Sequence, residues 1–347
     1  IIKLIKGKGR RNALFDSLFL NLRITLLKGN KVLMDQTVHE NINISLLPGL
    51  DREAYKSVSV LQKICESHDK ITLKLELDYK MKAYEQRTEE AGYTDEFIAY
   101  IEGQAIGYIG ICGFGGPGMP LEVTGMVHPS FRRKGIFTRL YALVLSEFQR
   151  RCCKDVLLLC DRVSAAGHAF LNKIGSTYKF CEVEMYLQKD APIHDVYTHS
   201  DILLQKANNA DAAIIQKIDA AAWNEPGKSP DEDEEIFFPE DEEKRGLTIF
   251  LGIKDGITVG KINLQKSESG VWGIYGFAML PEFRGLGYGR AMLRQSIEKM
   301  KTSGAKEIML QVVPENERAL NLYTSCGFKE TSVMDYYTLS VKKGGNL

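Results

Sequence analysis

The stretch that decides the fold is Ala278–Ile297, AMLPEFRGLGYGRAMLRQSI, read beside a weaker echo at Met126–Leu145, MVHPSFRRKGIFTRLYALVL. Each runs from apolar residues through a proline and an aromatic to an arginine, places a glycine three positions later, and continues with apolar residues at helical spacing. Arg284 follows Arg132 by 152 residues, a domain-sized period, so the chain reads as two copies of one unit. The helical stripe is Leu293, Ile297 and Met300 in the second copy and Phe137, Leu140, Tyr141, Val144 and Phe148 in the first.

The surroundings repeat as well. β-rich runs at Glu96–Tyr100, Ala105–Cys112 and Leu121–Val127 precede the first motif; Thr248–Ile253, Ile257–Leu264 and Val271–Leu280 precede the second. Gly103 and Asp255-Gly256 supply turns between them. After each motif helix come an apolar strand (Val156–Cys160, Glu307–Val313), a short helix and a last strand. Each copy is therefore expected to be an α+β unit: a mixed, mostly antiparallel twisted sheet of about six or seven strands flanked by helices. The expected domains are 40–189 and 201–347, joined by a linker at 190–200 that carries Pro192 and few apolar residues. Residues 1–39 read as a leader outside the fold. Five basic residues precede the apolar run Ala13–Leu27 in the order of a secretory signal, but Asp16, Asn21 and Arg23 interrupt the run and no small-residue cleavage site follows. Met34 is a candidate start, and a basic arm or targeting peptide is the alternative.

Composition narrows the function classes. Lysine plus arginine equals aspartate plus glutamate at 45 each, without the basic excess of a nucleic-acid binder, so no nucleic-acid partner is expected. Seven cysteines, including the neighbours Cys152 and Cys153, fit neither an even disulfide framework nor a CxxC metal or redox spacing. A reducing, cytoplasmic setting and no metal are the simpler expectations. No apolar stretch reaches the roughly 18–20 residues of a membrane helix, so no membrane partner is expected. The repeat makes a pseudo-dimer within one chain and leaves the oligomeric state open.

The chemistry sits in the loop Arg284-x-x-Gly287-x-Gly289, between a strand and an amphipathic helix. The first turn of a helix has unpaired N–H donors and a partial positive charge, which suits a phosphate or pyrophosphate. Glycines allow left-handed backbone and close approach, and Arg284 can add charge at the rim. A Walker loop would end in Gly-Lys-Ser/Thr and a dinucleotide fingerprint needs G-x-x-G spacing; neither fits. A glycine-rich turn without a ligand is the plain alternative. Further along, Asn316, Ala319, Tyr323, Gly327 and Phe328 form N-x-x-A-x-x-x-Y-x-x-x-G-F. Ala319 and Tyr323 share a helical face, and Gly327 suits the position after the helix end. A phenol of pKa about 10 keeps its proton at neutral pH and can deliver it to a thiolate.

The loop and this second segment closely resemble the Q/R-x-x-G-x-G/A motif and coenzyme-facing helix of the GCN5-related N-acetyltransferase (GNAT) superfamily. The resemblance covers nearly all of the chain after residue 40. It implies acetyl-CoA as cosubstrate, with the pyrophosphate held by Arg284, Gly285, Leu286, Gly287, Tyr288, Gly289 and Arg290. It further implies the pantetheine arm along Phe277, Ala278, Met279 and Leu280, Asn316 positioning the coenzyme, and Tyr323 as the acid that protonates the departing sulfur.

The first copy keeps R-x-x-G at Arg132 and Gly135 but has Phe137 at the third position, and the repeat offset places Leu171 where Tyr323 lies, Ser164 opposite Asn316 and Gly167 opposite Ala319. Its corresponding coenzyme residues are Val127, Arg132, Arg133, Lys134, Gly135, Ile136 and Phe137, and the missing tyrosine puts its catalysis in doubt. Glu122 lies near where some family members carry a glutamate base; an ordinary solvated strand carboxylate is the plainer reading. His128 beside Pro129 reads as incidental, and the run Gly113–Gly118 as a surface connection. The acidic stretch Asp231–Glu243 reads as a solvated charge run, or as a lure for a cationic amine. The expected activity is acetyl transfer from acetyl-CoA to a primary amine, of a small molecule or a peptide, in a ternary complex. The rivals are an acyl-CoA-binding sensor or scaffold and a tandem acetyltransferase resembling mycothiol synthase.

Overall fold

Alternating apolar residues and tight Gly turns generate the strands that the sequence leads one to expect. The Glu102-Gly103 and Asp255-Gly256 pairs both take positive φ, the two-residue hairpin geometry that matches strand twist. In a computed structural model, which describes residues 42–86, 92–113, 120–153, 155–189, 201–223 and 238–339, twelve strands are formed. The leader at 1–39, the linker at 190–200, nearly all of the run Gly113–Gly118 and residues 231–237 of the acidic stretch lie outside the described residues.

The first copy contributes β1 (Asn43–Leu47), β2 (Glu96–Ile101), β3 (Gln104–Gly113), β4 (Leu121–Val127), β5 (Val156–Asp161) and β6 (Thr177–Leu187). The second contributes β7 (Leu203–Lys206), β8 (Leu247–Lys254), β9 (Ile257–Lys266), β10 (Val271–Met279), β11 (Glu307–Val312) and β12 (Phe328–Thr338). They form one mixed sheet in the order β1-β2-β3-β4-β5-β12-β6-β11-β10-β9-β8-β7. Only β4 with β5 and β10 with β11 run parallel. The order has a pseudo-twofold between β12 and β6, where Thr177 lies opposite Thr338 and Leu187 opposite Phe328.

Each half thus ends in the other copy's last strand, a crossover that a reading of two separate units along the sequence does not include. The side chains agree with it. Val183 and Met185 of β6 are buried in the second half's core, and Tyr337 and Leu339, at the end of β12, pack on the first half's core.

Helices cover both faces. In the first half, α1 (Arg52–Asp69) and α2 (Leu77–Glu85) bury Ala54, Val58, Leu61 and Met81 on one face; Asp51 starts α1 by accepting from Ala54 N at 2.7 Å. On the other face lie α3 (Ile136–Arg151) and α4 (Ala165–Lys173). In the second half, α5 (Ala212–Trp223) packs through Ile215 and Ile218 on Ile249, Leu251 and Ala278. The short α6 (Pro239–Lys244) follows; α7 (Tyr288–Thr302) and α8 (Glu317–Ser325) close the opposite face over Leu293, Ile297 and Tyr323. No described helix is long and apolar enough to cross a membrane.

Candidate active site

Each half contains a V. β4 pairs with β5 only from Leu121 to Val123, and β10 with β11 only from Val271 to Ile274; beyond those residues the strands diverge. The free ends of β4 and β10 run through short turns, Pro129–Phe131 and Pro281–Phe283, into the loops ahead of α3 and α7. Gly287 and Gly135 immediately precede these helices at φ 84° and 77°, left-handed values that favour glycine. Neither helix has a side-chain cap. Their first helical backbone bonds come from Ala291 N to Gly287 O, 3.2 Å, and from Arg139 N to Gly135 O, 3.1 Å. The turn ahead of these amides has no carbonyl partner inside the helix, which is the arrangement an anion exploits.

The motif arginines also reach back to carbonyl groups behind their loops. Arg284 donates from Nε to Met279 O at 3.0 Å and from its terminal nitrogen to Ala221 O at 3.1 Å, tying the end of β10 to α5. Arg132 likewise donates from Nε to Val127 O at 3.0 Å, and its two terminal nitrogens grip Asp69 of α1 at 2.8 and 2.6 Å. These hydrogen bonds hold the Asp69 carboxyl below its usual range. Both guanidinium groups act as struts that aim the loops. Arg284, Arg290 and Arg133 are exposed at the loops and Arg132 is half-buried.

In the second half, β10 is bulged: Tyr275 pairs with Asn263 and Ala278 with Lys261, so Gly276, at φ 48°, and Phe277 oppose the single residue Ile262. The extra residue loosens the ladder where β10 leaves β11. Leu280 N is engaged with Val259 O at 3.0 Å and Met279 O with Arg284, so of the four strand residues singled out, Phe277 and Ala278 lie at the bulge itself. Phe277 turns toward α7, where its ring lies 3.6 Å from the place a Cβ on Gly289 would take. Its ring centroid is 6.5 Å from that of Tyr323, which Phe328 meets edge-on at 6.1 Å. Tyr323 is 7% exposed, burial pushes its phenol up to about 12, and its hydroxyl makes no hydrogen bond among the described residues. Asn316 caps α8, accepting from Ala319 N at 3.1 Å, and Gly327 ends that helix at φ 93°. Leu286 is exposed and Tyr288 half-buried against Phe283.

In the first half the V opens into a cleft of about 490 Å³, bounded by Gly125–Val127, the loop from Arg132 to Phe137, Cys65 and Asp69 of α1, and Phe170 of α4. Leu171 is buried at the position of Tyr323, and Ser164 caps α4 through Gly167 N as Asn316 caps α8. The β3–β4 register is unbroken, with no bulge. Phe137 stands edge-on to Phe170 at 4.6 Å, over Gly125.

Glu122 is not the solvated carboxylate that the plainer reading expects. It is largely buried, with Lys74 Nζ 3.4 Å away, and desolvation raises its pKa. The same Lys74 lies 3.4 Å from Glu182 and donates to Tyr336 Oη at 2.7 Å. His128 accepts from Ser130 N and starts a turn. In the described part of the acidic stretch, Asp241, Glu242 and Glu243 pair with Lys244, Arg245 and Lys206 at 2.5–2.7 Å, which offsets the charge that would lure a cation.

Sequence reasoning misses Asp69 and an ion pair between the buried Lys261 and Asp219, at 2.6 Å. No local signal marks the pair: Lys261 and Asn263 take the outward positions of a regular alternation with Ile262 and Leu264, and their cover, α5, lies about 40 residues earlier.

Known proteins resemble this chain in sequence and in fold. An N-alpha-acetyltransferase of Sulfurisphaera tokodaii is 34% identical over 113 residues, spanning 29% of this chain and 68% of that protein. The [ribosomal protein bS18]-alanine N-acetyltransferase of Salmonella typhimurium is 33% identical over 64 residues, 18% of this chain and 43% of its own. Among solved structures, a GCN5-related N-acetyltransferase from Sphaerobacter thermophilus covers 90% of this chain and 99% of its own at 17% identity, TM-score 0.67. A tandem GNAT protein from the clavulanic acid biosynthesis pathway covers 88% and 100% at 12% identity, TM-score 0.63. The sequence matches the acetyltransferase (GNAT) family twice, over residues 61–175 and 213–328, one match to each repeat and its V, and the chain belongs to that family.

Proposed function

We propose that the second half transfers an acetyl group from acetyl-CoA to a primary amine by direct attack in a ternary complex. The observation that carries this reading is Tyr323, a protonated phenol with a buried ring and an unengaged hydroxyl, set beside the bulge of β10 and behind the uncapped start of α7. The thioester supplies an acyl carbon open to nitrogen. The amides from Gly285 to Arg290 would hold its pyrophosphate, and the backbone freed at Gly276 and Phe277 would lie along the pantetheine end. Gly289 leaves room between Phe277 and Leu322 that a larger residue would fill. Asn316 acts by fixing α8, and so Tyr323, through its cap.

No step is assigned to Glu122, because its carboxylate is already held against Lys74. The first half has the same uncapped helix start and an open cleft but no acid, so its loop from Arg132 to Phe137, with Val127, is assigned acyl-CoA binding without turnover.

Coenzyme A release should be followed with a panel of small amines and peptide α-amines, the latter because the relatives are named N-alpha-acetyltransferases. Tyr323→Phe is expected to lower kcat about 100-fold and leave the calorimetric Kd for acetyl-CoA unchanged. Tight binding with no release from the wild-type chain would favour the sensor or scaffold reading instead.

A further inference from the structure

Acetyl transfer to an amine also requires a group to take the proton that an ammonium must lose before its nitrogen can attack. The V of the second half has two sides. Phe277, Tyr323 and α7 occupy one; α5 covers the other. On the α5 side Gly276 carries no side chain, and a Cβ built there would lie 2.6 Å from Asn263 Nδ2 and 3.6 Å from Lys261 Nζ. The polar heads of Lys261 and Asn263 therefore stand directly against the bulge, opposite the face that holds the acid.

Both are buried, at 4% and 8% exposure, and the Asn263 amide oxygen has no hydrogen-bond partner among the described residues. Lys261 reaches Asp219 of α5 at 2.6 and 2.7 Å. The Asp219 side chain is 37% exposed, so the pair connects the bulge to solvent. Among the described residues packed on Lys261, α5 contributes this carboxylate, while its ladder neighbours, Leu251 of β8 and Ala278 of β10, are apolar.

We infer that Lys261, backed by Asp219, is the proton acceptor for the incoming amine, with the Asn263 amide oxygen orienting its N–H. The inference rests on the acetyl-transfer reading of the second half. The ammonium first gives one proton to Lys261 Nζ, which passes it by way of Asp219 to water. The freed amine then forms the N–C bond, the C–S electron pair leaves with sulfur, and Tyr323 protonates that sulfur. The second proton, shed by the nitrogen as the amide forms, restores the Tyr323 phenol by way of water. Burial lowers the Lys261 pKa and raises that of Asp219, the directions a proton-sharing pair requires.

The test uses the full chain and an amine that the wild type acetylates. Lys261→Arg keeps the charge and the pairing with Asp219 but cannot give up its proton. It is expected to fold, to bind acetyl-CoA as the wild type does, and to lose about 100-fold in kcat. A purely structural ion pair would be rescued by arginine, so wild-type turnover in Lys261→Arg overturns the inference. Asp219→Asn, which leaves Lys261 in place, should move the acidic limb of the kcat/KM profile to lower pH, because the lysinium loses its stabilising carboxylate; an unmoved limb also overturns it. A wild-type chain that acetylates no amine would remove the acetyl-transfer reading itself, whereas a wild type and Lys261→Arg of equal activity would remove only this assignment.

Discussion

Where strand meets helix at the V, the first half sets Gly125 against Phe137 and the second sets Phe277 against Gly289. The same space is filled once from the helix and once from the strand. The difference follows from the bulge. In the unbulged β4, a Cβ on Gly125 would lie 2.8 Å from the Tyr108 carbonyl oxygen as well as 2.8 Å from the Phe137 ring, so no side chain fits on that strand position and the helix supplies the aromatic. In β10 the inserted residue turns Phe277 toward α7, where its ring takes the place beside Gly289 that Phe137 fills in the first half. Phenylalanine at the third motif position thus fills the space that the unbulged strand leaves open, and it occurs in the half that also has Leu171 in place of the acid.

The largest effect should come from separating the halves. A fragment of residues 42–189 would leave β5 without β12, and β6 without either of its neighbours, exposing Val183 and Met185. Three unpaired strand edges and apolar side chains whose burial contributes about 1.5–3 kcal/mol each should abolish cooperative unfolding of that fragment, while mixing it with 201–347 should restore it. A folded, monomeric 42–189 with native-like chemical denaturation would refute the strand exchange as the basis of stability.

Next in size is the contrast between the two loops. Replacing Gly287 by glutamate puts a side chain at φ 84°, where an L-residue loses about 1–2 kcal/mol, and sets a carboxylate against an incoming pyrophosphate. Calorimetry on the intact chain should give two acetyl-CoA sites, falling to one in Gly287→Glu and to one in Gly135→Glu, with coenzyme A release abolished only by the former. One site, lost with Gly287→Glu alone, would make the first cleft structural.

How much of this the sequence discloses depends on whether the signal is local. Gly287, the stripe Leu293–Ile297–Met300 and the hairpin at Asp255-Gly256 are local, and each sits where its pattern places it. The crossover of β6 and β12 is not legible. Both strands are equivalent in the repeat, and nothing in Cys181–Val183–Met185 distinguishes the core it fills from the core it leaves. Arginine reads as charge for a rim, yet whether Arg132 and Arg284 point outward or back to strand carbonyls depends on α1 and α5, which are distant in sequence. Glu122 reads as a surface carboxylate because its cover, Lys74, lies 48 residues earlier in an irregular segment. The bulge has only Gly276 as its trace.

The smallest effect separates the two struts. Arg132→Met removes a bidentate ion pair to Asp69 and one bond to a carbonyl; Arg284→Met removes only bonds to carbonyls. At neutral pH each loss should be about 1–2 kcal/mol, a fall in Tm of roughly 2–6 °C. Acid should part them. The Asp69 pKa is lowered in the folded chain chiefly by its hydrogen bonds to Arg132, so the stability it contributes is fully present above the unfolded value of about 3.9 and is lost as pH falls through the lower folded value. The Tm gap between wild type and Arg132→Met should therefore narrow as pH falls from 7 to below 4. The gap for Arg284→Met, whose partners do not titrate, should hold over the same range. Equal narrowing in both variants would mean that the Asp69 pair is not what distinguishes the first loop's strut from the second's.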